Sequence, residues 1–247
     1  MRILNAYSLK SFYNSRKGGI VRDVLQQKIH DIWPNIKPYK LFGYGYAMPY
    51  LTPYKQESNC VFNLIPAQLG VHSWPLAGKN LVGLHQETDL PLETNSVDFV
   101  LMVHALEFLD DPEEAFAEIS RVMKSTGRIL IIVPNRMGFW ARADWSPFGQ
   151  GRPYSARQVE NFLSDNLFVH ERTTHALFSP PFQSQIFLRF ARLFEKFGSY
   201  LYPALGGVHV IEATKQIYAG KHKGSKIGVL DKAKASVAVK AVPTNRV

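Results

Sequence analysis

Asn95-Ser-Val-Asp-Phe-Val-Leu-Met-Val-His104, then Asp110-Asp-Pro-Glu-Glu114, then Gly127-Arg-Ile-Leu-Ile-Ile-Val-Pro134: these three pieces follow one another closely and decide the fold. The first is a short apolar run with one acid, Asp98, near its start. It predicts a strand buried on both faces, as strands of parallel sheets are. In the second, Asp110 or Asp111 is placed to cap a helix, Pro112 suits its first position, and Glu113 and Glu114 favour its positive N-terminal end. Gly127 is expected just past that helix, and Arg128–Pro134 forms the next strand. A strand, a helix and a second strand at this spacing predict a doubly wound, mostly parallel α/β sheet.

Working outward, Tyr39–Pro49 reads as a strand running into the tight turn Gly43-Tyr44-Gly45-Tyr46-Ala47. Asn59–Ile65, closed by Pro66, and Leu81–Leu84 give two further strands. Upstream, Ile20, Val24, Ile29 and Ile32 fall near helical spacing between Gly19 and Trp33, and Pro34 ends that helix. Downstream, Ser155 is placed to cap a helix through Val159 and Leu163, followed by a strand at Leu167–Val169. Gln183–Gly198 carries Phe187, Phe190, Phe194 and Phe197 on one helical face, and Val208–Tyr218 supplies the last strand.

The chain has 247 residues, 46% hydrophobic and 13% aromatic, enough for one α/β domain with a full core. Its longest apolar runs fall far short of the ~20 residues that cross a bilayer. Met1–Lys10 lacks the pattern of a secretory signal, and the single cysteine, Cys60, has no partner for an internal disulfide; both fit a reducing cytoplasm. The net charge of +9 is concentrated in residues 215–247, which hold eight Lys or Arg against Asp231. From residue 220 onward there is no sustained apolar periodicity, so 220–247 is expected to be a disordered basic tail whose contact with nucleic acid or anionic lipid is nonspecific. Residues 1–219 then form the folded domain. The eight histidines are scattered without ligand spacing, so no metal site is expected, and the sequence contains neither a P-loop nor a GxSxG elbow.

Asp89-Leu-Pro-Leu, Ser96-Val-Asp-Phe-Val, His104-Ala-Leu-Glu and Ile119-Ser-Arg-Val-Met-Lys-Ser-Thr-Gly-Arg-Ile-Leu-Ile together resemble the central block of the type 11 family of S-adenosylmethionine (SAM) dependent methyltransferases. The resemblance covers about residues 37 to 170. It implies a class I methyltransferase fold and a methyl transfer from SAM to a small or lipophilic acceptor. Gly43, Gly45 and Ala47 fall where the family has its GxGxG cofactor loop, in which glycine lets the backbone approach the ligand. Two acids of the family's pattern are replaced. Leu41 stands before the loop, and Asn63 stands where an acid ending the second strand holds the ribose hydroxyls; an uncharged amide accepts a weaker hydrogen bond. A noncatalytic relative serving as a binding or regulatory module therefore stays open beside the enzyme.

The resemblance further implies that Gln86 and Glu87 contact the adenine; a polar turn is the plain alternative. His104, at the end of its strand, is the candidate general base as well as a cofactor contact, while Glu107 supports the following turn. Asn135, Arg136, Trp140, Arg142, Asp144, Trp145, Phe148, Arg152 and Tyr154 lie in a stretch too long for an ordinary connection, and predict a lid that closes over the acceptor. The Phe-rich face around Phe187–Phe197 is core, the wall of a greasy pocket, or a face lying on a membrane.

Overall fold

The computed structural model describes residues 4–181 and 191–216. The tail from 220 onward, Phe187 and Phe190 lie outside the described residues.

The predicted strands assemble into one seven-stranded sheet. In chain order they are β1 (Lys40–Gly45), β2 (Cys60–Pro66), β3 (Val82–His85), β4 (Val97–Val103), β5 (Met123–Pro134), β6 (Phe168–Ala176) and β7 (Val208–Lys215). Their spatial order is β3-β2-β1-β4-β5-β7-β6, with β7 antiparallel to both β5 and β6 and the other pairings parallel. Val100, Leu101, Met102 and Val103 of the central β4 are all fully buried, which is why that segment reads as an unbroken apolar run rather than an alternating one.

Helices cover both faces. Two N-terminal helices, α1 (Ala6–Asn14) and α2 (Arg16–Ile32), share a core with Leu101, Val103, Leu130 and Ile132, followed by the one-turn helices α3 (Met48–Leu51) and α4 (Tyr54–Glu57). On the opposite face α5 (Pro112–Val122) and α6 (Ala156–Asp165) pack Phe116, Ile119, Val159 and Leu163 against Val100, Met102, Ile129 and Ile131. The expected caps are in place: Asp111 accepts from Glu114 N at 3.1 Å, and Ser155 and Gln158 form a reciprocal capping box. A last helix, α7 (Ala191–Leu201), precedes β7. Among the described residues no helix is long and apolar enough to cross a membrane.

Two elements differ from expectation. Gly127 does not follow the last turn of α5: that helix ends at Val122, and β5 begins directly at Met123 with a bulge against β4 between Val97 and Phe99. The second difference is α1, which has a capping box at Asn5 and Ser8 and buries Ala6, Leu9 and Tyr13 along one face. Glu212 of β7 anchors α2 to the sheet. Fully buried, it accepts from Trp33 Nε1 at 2.8 Å and pairs with Arg128 and Arg172, which offset the cost of burying its charge.

Candidate active site

In a sheet of this order β1 and β4 are neighbours whose connections leave in opposite directions, so a crevice opens beyond their C-terminal ends. Both predicted glycines sit at that point, each for a steric reason. Gly45 has φ +79°, and a Cβ there would come within 2.5 Å of the Val103 carbonyl of β4. At Gly43 a Cβ would lie 2.3 Å from Asn63 Oδ1. Ala47 is buried at the start of α3, and Leu41, in the place of the missing acid, is fully buried in β1.

Asn63 is not at the end of its strand. β2 continues to Pro66, and Asn63, fully buried in register with Gly43, donates its amide to the Gly45 carbonyl at 2.9 Å. The amide thus holds the glycine turn from below, and its Oδ1 is left without a protein partner. The crevice wall is formed instead by the continuation of β2 and the turns after β3 and β4. A cavity of about 110 Å³ is lined there by Gln68, Leu69, Glu87, His104, Phe108 and Asp110, among others. Of the two residues expected at the adenine, Glu87 belongs to this wall and accepts from Asp110 N at 3.2 Å, whereas Gln86 is exposed in a turn bridged to Asp89.

His104 lines the same cavity and adopts φ +48°, a backbone conformation that a non-glycine side chain holds only when its surroundings enforce it. Its ring is 1% exposed and held at both nitrogens. Nδ1 lies 3.3 Å from Glu107 Oε1, an acceptor when ionised, so the neutral ring carries its proton on Nδ1 and presents a lone pair at Nε2. The Tyr13 hydroxyl, 2.7 Å from Nε2, donates to that lone pair and accepts from Tyr50 at 2.9 Å. Tyr50–Tyr13–His104–Glu107 is therefore a buried chain of hydrogen bonds with a fixed polarity, ending on a carboxylate whose second oxygen has no protein partner. Burial, reinforced by Tyr50, pushes the Tyr13 phenol well above its ordinary range, so it remains a donor. Tyr46 stacks on Tyr13 at 5.9 Å and bonds His72 through its hydroxyl at 3.0 Å.

The 135–154 stretch closes on itself: Arg136 N donates to the Tyr154 carbonyl, and Tyr154 N donates to that of Pro134. Trp140 is buried, with its indole donating to Ser179 O at 2.8 Å, and Phe148 lies 4.7 Å from the His104 ring. Trp145 is partly exposed, tilted toward Phe12 of α1 and covered by the Lys17 ammonium at 4.4 Å. Burial lowers the Lys17 pKa to about 8. Farther along, the Arg152 N–H donates to the Glu107 carbonyl. Asn135 donates to Ala204 O and Gly206 O, tying the loop to the segment before β7, and Tyr154 reaches Leu106 O at 3.4 Å. Arg136 and Arg142 are exposed, and neither lines the cavity beside His104.

Residues 43–131, from the glycine turn into β5, match the model of a methyltransferase domain of type 11, so this segment is that of a methyltransferase domain. A demethylmenaquinone methyltransferase of Chlamydia pneumoniae is 26% identical over 122 residues, 44% of this chain, and the chain spans 53% of that relative's length. Among solved structures, a SAM-dependent methyltransferase of Thermotoga maritima superposes with a TM-score of 0.58 at 17% identity, over 85% of this chain and 95% of that one. A geranyl diphosphate C-methyltransferase of Streptomyces coelicolor, bound to S-adenosyl-L-homocysteine, gives 0.53 at 16% identity over 77% and 75%. At these identities the superpositions establish the class I methyltransferase fold.

The side chains present suit the family's cofactor. The glycine turn gives backbone access, Leu69 and Phe108 offer apolar walls for a base, and Glu87 and Gln68 offer acceptors for hydroxyls. The cavity is smaller than the several hundred Å³ usual for ligand pockets, so occupation requires the turns after β2 and β4 to separate.

Tyr13, Tyr46, Tyr50, His72 and Gln68 were not among the sequence candidates. For Tyr13 the signal was present, in the Asn5-to-Ser8 capping box and the Ala6, Leu9, Tyr13 spacing; for the others it was not, because only the tertiary fold brings them to the crevice.

Proposed function

We propose that this methyltransferase domain is catalytically active, and that it methylates a hydroxyl or amine of a small or lipophilic acceptor with His104 as the proton acceptor. The observation that carries this reading is the buried Tyr13–His104–Glu107 chain at the lip of the cofactor crevice. SAM, when bound, would supply an electrophilic methyl group, taken by the acceptor with release of S-adenosylhomocysteine. Glu87 and Gln68 would hold the nucleoside hydroxyls, and Gly43 and Gly45 would admit the cofactor to the backbone. As the acceptor gives its proton to the Tyr13 oxygen, Tyr13 passes its own to His104 Nε2, and Glu107 stabilises the imidazolium that forms. Trp140, Trp145 and Phe148 exclude water above the ring. The relative's name, a demethylmenaquinone methyltransferase, supports a lipophilic acceptor.

Calorimetry with SAM and S-adenosylhomocysteine tests the first half, and failure to bind at millimolar cofactor would mean a noncatalytic module. Transfer of labelled methyl from SAM to a panel of phenols, quinols and amines tests the second. His104→Gln is expected to lower turnover by about 10²–10⁴-fold while leaving cofactor affinity within a few-fold.

A further inference from the structure

Helix α7 is amphipathic with its faces reversed. Leu193, Phe197, Tyr200 and Leu201 recur at the spacing of a single helical stripe, and all point to solvent, with Tyr200 85% exposed. The opposite side faces the protein: Phe194 is half-buried, Glu195 accepts from Leu177 N at 3.1 Å and Phe178 N at 2.7 Å, and Gly198 lies against Phe178. The apolar surface continues past the helix. Asn135 binds Ala204 O and Gly206 O, and Gly138 abuts Gly206 and Gly207, so the turn bearing exposed Met137 and Phe139 adjoins the segment that follows α7. Contiguous exposed apolar surface of this extent marks an interaction site.

Charge identifies the occupant. Residues 135–142 and 193–201 contain Arg136, Arg142 and Lys196 against one acid, Glu195, whose carboxylate is turned inward. Two such basic faces repel each other, whereas an anionic bilayer attracts one. At 11 residues α7 is about 16 Å long, far too short to span a bilayer, but suited to lying in its interface with tyrosines at headgroup depth.

We propose that the outward face of α7, together with the Met137–Phe139 turn, docks this protein on an anionic lipid surface. The 135–154 stretch runs from this face to Trp140 and Phe148 beside His104, so docking sets that loop against the bilayer. A membrane-dissolved acceptor follows only if the methyl-transfer reading also holds; docking itself is measured without cofactor and stands apart from it.

The test is flotation of the full chain with vesicles of phosphatidylcholine and phosphatidylglycerol at about 3:1, and with phosphatidylcholine alone. Binding to the anionic vesicles is expected, weakened at least about tenfold in Phe197→Glu/Leu201→Glu. The tail variant Lys221→Gln/Lys223→Gln/Lys226→Gln is expected to lose no more than about threefold. Thermal melting checks the fold; if the double variant melts early, Tyr200→Ser is read in its place, with the same direction of loss. The proposal is overturned if the chain does not float, if the face variants float like the parent, or if only the tail variant loses binding. It is equally overturned if the parent self-associates in sedimentation and the face variants abolish that association without a vesicle effect.

Discussion

Tyr13→Phe isolates the chain that links α1 to β4. The substitution keeps the ring, its stacking on Tyr46 and nearly all the buried apolar area, and removes one hydroxyl that makes two hydrogen bonds. Two buried groups are stranded: His104 Nε2 loses its donor and the Tyr50 hydroxyl its acceptor, in residues 1% and 0% exposed. Each such group costs about 1–3 kcal/mol, so Tyr13→Phe should destabilise by about 2–6 kcal/mol. At about 2–4 °C per kcal/mol for a domain of this size, the melting temperature should fall by about 4–24 °C. Tyr50→Phe is milder, about 1 kcal/mol, because Tyr13 still donates to His104. In the double variant the stranded Tyr50 hydroxyl no longer exists, so the loss should be smaller than the sum of the singles by about 1–2 kcal/mol. Urea titrations of the four proteins measure this. Single losses under about 0.5 kcal/mol, or losses that simply add, would refute a continuous chain. The alkaline limb gives a second check. Because folding raises the Tyr13 pKa, its contribution is full below about pH 10, the unfolded value, and declines as pH rises above it; that decline should shrink in Tyr13→Phe.

Three other perturbations address separate parts of the molecule. Gly45→Ala places a Cβ 2.5 Å from the Val103 carbonyl at φ +79°, so it should cost at least about 1–2 kcal/mol in chemical denaturation and weaken SAM binding in calorimetry; a variant with parental stability and affinity would refute the role of the turn. His209, buried in β7 with its Nδ1 3.0 Å from that of His175, is held down to about 4, first by burial and then by His175. Its folded pKa is depressed, so its contribution, of order 3 kcal/mol, is complete above about pH 6.5 and is lost as pH falls toward 4; urea melts at pH 7 and 4.5 should differ accordingly, and less so in His209→Phe. Trp33→Phe withdraws the indole that donates to fully buried Glu212 and should cost about 1–3 kcal/mol by thermal denaturation, whereas an unchanged melting temperature would show that Arg128 and Arg172 suffice for that carboxylate.

The sheet was legible because its information is local. β4 and β5 bury both faces and so write themselves as continuous Val, Leu and Ile, while Asp111 and Ser155 mark helix starts through bonds to residues three positions on. The candidate site was legible only where one residue's place along a strand determines its position. Gly45 ends β1 and His104 directly follows β4, so both fall at the crevice as expected. Asn63 shows the limit of that logic: counted along the sequence it stands in for a ribose-binding acid, but the extension of β2 to Pro66 puts it within the strand, where its amide serves the Gly45 carbonyl. The lid divides on the same principle. Trp140 and Phe148 are drawn inward by apolar burial, whereas the guanidinium groups of Arg136 and Arg142 remain hydrated, although sequence composition marked all of them alike.

What sequence order could not convey is that α1 completes the site. Tyr13 and His104 are 91 positions apart, and the folding of α1 across the end of β4 brings them to 2.7 Å. The elements before the glycine turn therefore reach the candidate site as well as covering the sheet. Tyr13 binds the His104 nitrogen that carries the lone pair, Phe12 packs against Trp145 and Phe148, and Lys17 sits over Trp145. Displacing α1 would expose the His104 ring and remove the lid's packing partner in one motion. It follows that acceptor entry and orientation of the proposed base are coupled through this helix: a substitution at Leu9, fully buried in the α1 core and remote in sequence from the crevice, should reduce turnover together with stability, whereas one at exposed Tyr7 should change neither.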